Sequence, residues 1–259
     1  MLIQELAVVN LDQAFQEQYT KPIIARFNAE VPGFNFTTDD IVGMQELCGY
    51  ETVIRGSSPF CALSVFSPND WLGFEYSNDI MYFHNTGYGN WELNGAIGFP
   101  WLAASASLLM AANTSDSQDL YVSFTHRELP PTVLVAMGLF NNSAFSGAND
   151  VNATMPLDVI NHWRLWKSSH ILPFLTNIAI EKMSCDSYGF ENAIGEYYRV
   201  LVNQSPLPLP GCADGPGESC SRTGFEQYIS SRQELFGDFS QKCEVDYKNS
   251  TDTLSIYTT

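Results

Sequence analysis

Apolar residues recur at helical spacing through the first 30 residues, at Leu11, Phe15, Tyr19, Ile23 and Phe27, and predict one long amphipathic helix. Thr37-Thr38-Asp39-Asp40 is a helix-capping cluster ahead of Ile41–Leu47. A looped segment is expected from Cys48 to Cys61. Ser67-Pro-Asn-Asp70 opens a further helix with aromatic residues at Trp71, Phe74 and Tyr76. Gly87-Tyr-Gly-Asn90 reads as a turn, and Trp101–Ala112 as a helix. That helix lies in the longest uncharged stretch, Gly95 to Ser115. Pro100 and several hydroxyl residues there favour a buried helix over a membrane span.

From about Asp119 the pattern changes. Leu120-Tyr-Val-Ser-Phe-Thr125 alternates and predicts a short buried strand, followed by a helix at Pro131–Leu139. Residues 141–153 are a polar loop. Ile171–Cys185 and Tyr197–Asn203 predict a hairpin. Leu207 to Cys220 is a Pro/Gly-rich loop, and Thr223–Phe236 a helix closed by Gly237. The expected organisation is a mostly helical domain over 1–115 and part of an α/β domain over 116–259.

Charge narrows the function. Twelve Lys and Arg against 29 Asp and Glu give a net charge of −17. Nucleic acid and anionic membrane surfaces both need a basic footprint and are not expected partners. The acidity fits either solubility or work at acid pH. Six cysteines without metal-ligand spacing accompany six N-x-[ST] sequons, at Asn35, Asn113, Asn141, Asn152, Asn203 and Asn249. That is about twice the number chance gives and points to a secreted or cell-wall, disulfide-bonded glycoprotein. Met1-Leu-Ile-Gln-Glu5 lacks the basic and apolar regions of a signal peptide, so Met1 is not expected to be the true start.

No P-loop, G-x-S-x-G, H-E-x-x-H or dinucleotide fingerprint occurs, and Cys212 and Cys220 are too far apart for a zinc knuckle. No metal or cofactor is expected. The leading candidate pair is His126 with Glu128, where a predicted strand meets a predicted helix N-terminus, a favourable place for an anion. Histidine serves as nucleophile, base or phosphate-oxygen donor, and a nearby carboxyl group protonates a leaving alcohol. By spacing alone, a lone histidine in such a place is more often structural. Arg127 pairs with a phosphate or with a carboxylate. His84 sits among aromatic residues and reads as structural. His162 and His170 flank Trp163-Arg164-Leu-Trp166-Lys167, which reads either as packing between strands or as an anion site through Arg164 and Lys167.

Several longer motifs resemble the fungal histidine acid phosphatases, the branch containing acid phosphatases and phytases. They are Asp40-Ile-Val-Gly-Met-Gln-Glu-Leu-Cys-Gly-Tyr-Glu51, Arg55-Gly-Ser-Ser-Pro-Phe-Cys61, Gly87-Tyr-Gly-Asn90, Ser123-Phe-Thr-His-Arg-Glu128, Trp166-Lys-Ser-Ser-His170 and Phe236-Gly-Asp-Phe-Ser-Gln-Lys-Cys243. The resemblance spans the chain but only the C-terminal part of the family. It implies an α/β fold, the phosphoglycerate-mutase-like (histidine phosphatase) sandwich with an inserted α domain and its N-terminal catalytic strand missing. It also implies hydrolysis of small phosphomonoesters through a phosphohistidine.

The family's R-H-G-x-R-x-P segment, with its nucleophilic histidine, is expected upstream, and no R-H-G occurs in these 259 residues. The resemblance assigns His126 as the second, phosphate-contacting histidine. Where the family commonly has Asp as proton donor this chain has Arg127, so Glu128 takes the donor role. The resemblance pairs Cys48 with Cys61 and Cys212 with Cys220, and gives Cys185 and Cys243 partners in the missing half. Without the nucleophile strand the sheet is expected to expose an apolar face, and the 259 residues alone to be inactive. The rival readings are a catalytically incompetent fragment and a non-catalytic, anion-binding secreted glycoprotein.

Overall fold

The computed structural model describes residues 2–111, 118–147, 153–186 and 194–254, with side chains from residue 11 onward. The sequons at Asn113 and Asn152 lie outside the described residues. The chain forms two compact units, 1–85 with 142–169 and 86–141 with 170–259.

The first unit holds three long helices: α1 (Leu2–Glu30), α2 (Thr38–Arg55) and α3 (Pro68–Asn85). Phe15, Ile23 and Phe27 of α1 are buried, as their spacing predicts. Ile23 and Phe27 cluster with Ile41 and Phe66, packed over by Tyr19, Phe36 and Trp71. α2 begins where the capping cluster predicts. The Thr37 side chain accepts from the Asp40 N–H, and the Asp40 carboxylate accepts from the Thr37 N–H at 2.9 Å. α2 runs past Cys48, which was expected to open a loop, and ends at Gly56 in a left-handed conformation. The Cys48–Cys61 disulfide therefore ties the helix to the turn after it.

An ion network fixes residues 142–169 onto α3. Arg164 and Asp79 are both fully buried and meet at 2.6 Å, with Glu75 on the other guanidinium nitrogen at 2.8 Å. The second Asp79 oxygen accepts from the Ser168 N–H and hydroxyl, each at 2.6 Å. Arg164 also donates to the Asn161 carbonyl and lies over the Tyr76 ring. Nearby, the buried Asn142 Oδ1 accepts from the Leu165 and Trp166 N–H groups.

The second unit is built on α4 (Trp91–Met110), α5 (Leu129–Met137) and α7 (Arg222–Phe236). α4 starts ten residues before the predicted helix and passes through Pro100. Ala96, Phe99, Leu102 and Ala106 are buried, and the helix packs against α5 and α7. A short helix, α6 (Ser168–Ile171), precedes the sheet. β1 (Ile178–Cys185) and β2 (Gly195–Val202) form the predicted hairpin, antiparallel from Ile178 opposite Val202 to Cys185 opposite Gly195. β1 starts seven residues later than predicted, because Pro173 has no N–H to donate and Leu175 adopts a positive φ of 64°. On its other side β2 pairs with β3 (Ser205–Leu207) and β4 (Cys220–Ser221). Tyr198 of β2 stacks on Phe225 of α7 at 4.6 Å. The Cys212–Cys220 disulfide closes the Pro/Gly-rich loop, and a last short helix, α8 (Phe239–Lys242), follows α7.

One expected element does not form. Residues 120–125 form no helix or strand and pair with no strand among the described residues. Leu120, Val122 and Phe124 are 74%, 55% and 96% exposed, so the segment is not a buried strand. Alternation makes a strand only where a neighbour takes up its N–H and C=O groups, and no described segment offers one.

α4 and α5 approach backbone to backbone in the second unit. A Cβ at Gly98 would overlap the Thr132 carbonyl and the Val133 nitrogen, which are backbone atoms and cannot rotate away. Gly98→Ala is expected to destabilise the chain by about 1–3 kcal/mol in urea denaturation. Gly43→Ala, where a Cβ meets only open space, is the control. An unchanged midpoint for Gly98→Ala would mean that α5 is not held against α4 as described.

Candidate active site

The chain between the 120–125 segment and α5 turns at His126-Arg127-Glu128. The Leu129 N–H donates to the His126 carbonyl at 3.3 Å, and the Thr132 hydroxyl to the Leu129 carbonyl at 2.7 Å. Pro131 to Met137 are all buried. An apolar helix enclosed in this way gives the turn before it a fixed platform.

α5 is fixed at its other end by side chains. Gly138, at φ 72°, closes the helix, with N–H groups donating back to Leu134 and Val135. Arg232 donates to the Ala136 carbonyl at 2.5 Å and the Val135 carbonyl at 3.0 Å. The Tyr228 hydroxyl donates to the Met137 carbonyl, and the Tyr88 hydroxyl to the Leu139 carbonyl, each at 2.7 Å. The positive guanidinium at a helix C-terminus also complements the dipole. Tyr228 and Arg232 were not singled out from sequence, and Tyr88 was noted only within the Gly87–Asn90 turn motif. The partners lie 91 to 97 residues apart for Tyr228 and Arg232, with no local signal linking them.

The N-terminus of α5 is less suited to holding an anion through its backbone than its position suggests. Pro130 and Pro131 carry no N–H, which removes two of the donors a helix start usually offers. The dipole remains, but hydrogen bonds to an anion must come from side chains. Two suitable donors, His126 and Arg127, stand together in the turn beside the Glu128 carboxylate, and all three residues are exposed. Arg127 Nε donates to Glu128 Oε1 at 3.1 Å, with the two side chains 72% and 56% exposed. That hydrogen bond from Arg127, with further help from the Glu128 N–H, holds the Glu128 carboxyl below the ordinary glutamate range. Glu128 thus rests ionised, and proton donation from it requires Arg127 to move away. Behind the turn, the Trp101 indole donates to the Ser123 hydroxyl at 3.3 Å.

The other sequence candidates fall elsewhere. His84 is half-buried beside the Phe83 ring, and burial lowers its pKa. Arg164 is consumed by Asp79 and Glu75 inside the first unit, which removes it as an anion ligand; its cluster is packed by helix and loop, not between strands. His162 and His170 are exposed. Cys185 and Cys243 are unpaired, and burial with the nearby Asp252 raises the Cys243 thiol. Among the described residues, no three His, Cys, Asp or Glu side chains converge to hold a metal.

Comparison with known proteins decides the family. The model of the histidine phosphatase superfamily (branch 2) matches residues 4–203. The chain belongs to this superfamily. Among its relatives, acid phosphatase PHO1 of Komagataella pastoris is 33% identical over 89% of the chain and 46% of that protein. Phytase PHO112 of Candida albicans is 31% identical over 92% of the chain and 49% of that protein. The crystal structure of the phytase from D. castellii shares the fold, with a TM-score of 0.78 at 24% identity over 96% of the chain and 49% of that chain. This histidine phosphatase chain therefore spans about half the length of the relatives it matches. Its fold is the mixed α/β one the resemblance implies, with long helices and a small antiparallel sheet.

Two measurements check the electrostatics. Arg127→Ala removes the group that lowers Glu128, so the Glu128 carboxyl pKa should rise towards the ordinary glutamate value in an NMR titration. An unchanged value would show that the two side chains do not pair in solution. Asp79→Ala leaves the buried Arg164 guanidinium with Glu75 as its remaining carboxylate and the Ser168 donors without their acceptor, and should cost about 3 kcal/mol of stability in urea denaturation. A loss below about 1 kcal/mol would place the network in water instead.

Proposed function

We propose that this chain carries one half of the active site of a secreted phosphomonoesterase of the acid phosphatase and phytase type. The observation that carries the reading is the exposed His126-Arg127-Glu128 turn at the head of a fixed helix, in a chain of histidine phosphatase family. The names of its relatives support small phosphomonoesters as substrates. Two disulfides and six sequons support passage through the secretory pathway or deposition in the cell wall.

In this mechanism a histidine outside these residues, in the family's R-H-G context, attacks phosphorus. His126 donates to an equatorial phosphate oxygen, where negative charge is held as the bond to the leaving group breaks. Arg127 turns from Glu128 to the phosphate. Released from its cation, Glu128 takes up a proton more readily at acid pH and passes it to the leaving alkoxide, which departs as the alcohol. Water then cleaves the phosphohistidine. The side chains and the helix dipole supply the electrostatic stabilisation, with Pro130 and Pro131 leaving the backbone little part in it.

The same reading holds that these 259 residues alone do not turn over substrate. No R-H-G occurs in them. The exposed Leu120, Val122 and Phe124 beside the turn support a site finished by a further segment. The non-catalytic, anion-binding alternative rested on Arg164 and Lys167, and Arg164 is held by Asp79 and Glu75.

The test joins the chain behind the portion of the Komagataella acid phosphatase that it does not match. The fusion should hydrolyse p-nitrophenyl phosphate at acid pH while the chain alone does not. In the fusion, His126→Ala should lower kcat about 10²–10³-fold. Glu128→Gln should lower it about 10²-fold or more, with a smaller loss for substrates whose leaving group needs no proton. Turnover by the chain alone, or full activity in His126→Ala, would overturn the assignment.

A further inference from the structure

Four of the six sequons fall among the described residues, and the structure treats one of them differently. Asn35, Asn141 and Asn249 are exposed, in loops or turns. Asn203 is half-buried and opens the two-residue turn between β2 and β3, where Val202 pairs with Ser205. Asn203 and Gln204 both have positive φ, 50° and 67°. That is the backbone of the tight hairpin turn for which asparagine is favoured. The Asn203 amide is also occupied. Its Nδ2 donates to the His170 carbonyl at 3.0 Å, and its Oδ1 accepts from the Asn177 N–H at 3.2 Å. The Asn203 N–H donates to the Asn177 carbonyl at 2.9 Å. Three hydrogen bonds thus tie the turn to the 170–177 segment, which itself holds Leu175 at positive φ.

We propose that Asn35, Asn141 and Asn249 are glycan acceptors, whereas Asn203, despite its sequon, remains unmodified and acts as a clamp between the hairpin turn and the chain leading into β1. The inference rests on the secretory reading above. N-glycosylation joins Nδ2 to the anomeric carbon of a lipid-pyrophosphate-linked oligosaccharide. One Nδ2 proton leaves to a base of the host transferase, and the lipid pyrophosphate departs. The reaction needs Nδ2 free. At Asn203 the nitrogen is engaged by the His170 carbonyl and the residue opens the tight turn, while Gln204 and Ser205 beside it are exposed.

Order of synthesis favours the clamp. Its partners His170 and Asn177 precede Asn203 by 33 and 26 residues, so they are made first. β3 ends four residues after Asn203. A hairpin closes in about 1–10 μs, against roughly 5–20 residues added per second. The turn therefore closes faster than the chain grows past it. Asn35, Asn141 and Asn249 are held in no such turn.

The test separates sequon from clamp. The full chain is passed through a yeast secretory host, and glycans are released by amidase in heavy-oxygen water, which marks each formerly occupied asparagine. Label is expected at Asn35, Asn141 and Asn249 and absent from Asn203. Ser205→Ala destroys the sequon and spares the clamp, so it should change neither glycan number nor Tm. Asn203→Ala should leave glycan number unchanged and lower Tm by a few degrees, roughly 2–4 °C per kcal/mol lost. Label at Asn203, or one glycan fewer in Ser205→Ala, would overturn the clamp while leaving the secretory reading intact. No label at any of the four would overturn the acceptor assignment together with the secretory reading.

Discussion

The second unit depends on how the far end of α5 is held. A nine-residue helix buried along almost its whole length leaves C-terminal carbonyls that need partners away from bulk water. Arg232 and Tyr228 of α7 and Tyr88 ahead of α4 supply them, and the bare Gly98 backbone lets α4 approach closely enough to seal the helix side. With these contacts in place, the helix start cannot shift without breaking several hydrogen bonds in the apolar interior. His126, Arg127 and Glu128 inherit that fixity, which is what a site that must meet phosphate oxygens within tenths of an ångström requires.

The two ion pairs emphasised above differ because their surroundings differ. Asp79 with Arg164 is dry, hydrogen-bonded on all sides and unavailable to a ligand; burial raises the Asp79 carboxyl despite the guanidinium beside it. Its work is to hold a long connection onto α3. Arg127 with Glu128 is wet, adjacent in sequence and easily exchanged. A cation that can leave its carboxylate for a phosphate couples substrate arrival to release of the proton donor. The same pairing of residue types serves architecture in one unit and, in the proposed mechanism, chemistry in the other.

Much of this was legible in the chain itself. The 3.6-residue spacing of Phe15, Ile23 and Phe27, the capping box at Thr37 and Asp40 and the β1–β2 alternation are local signals, and each formed its element, β1 with a later start than read. The early start of α4 was missed because Gly95, Gly98 and Pro100 disfavour helix, whereas in the fold the glycines admit Phe236 and the Thr132 backbone. The strand at 120–125 was misread because alternation describes the segment alone and says nothing of a partner. The anion-binding promise of the α5 start was overstated because Pro130 and Pro131 were read as helix openers, not as missing donors. The Arg164–Asp79 pair and the clamp on α5 join residues 51 to 97 positions apart, and only the fold brings them together.

The central claim is that His126 and Glu128 assist a nucleophile that these residues do not contain. The most direct measurement is to map the phosphoryl group in the fusion that carries the relative's N-terminal portion. The enzyme would be quenched in alkali during turnover of a phosphorus-labelled ester, and its peptides sequenced. The account predicts label on the histidine of the R-H-G segment and none in the 259 residues described here. Label on His126 would contradict it, making His126 the nucleophile and this chain the catalytic half.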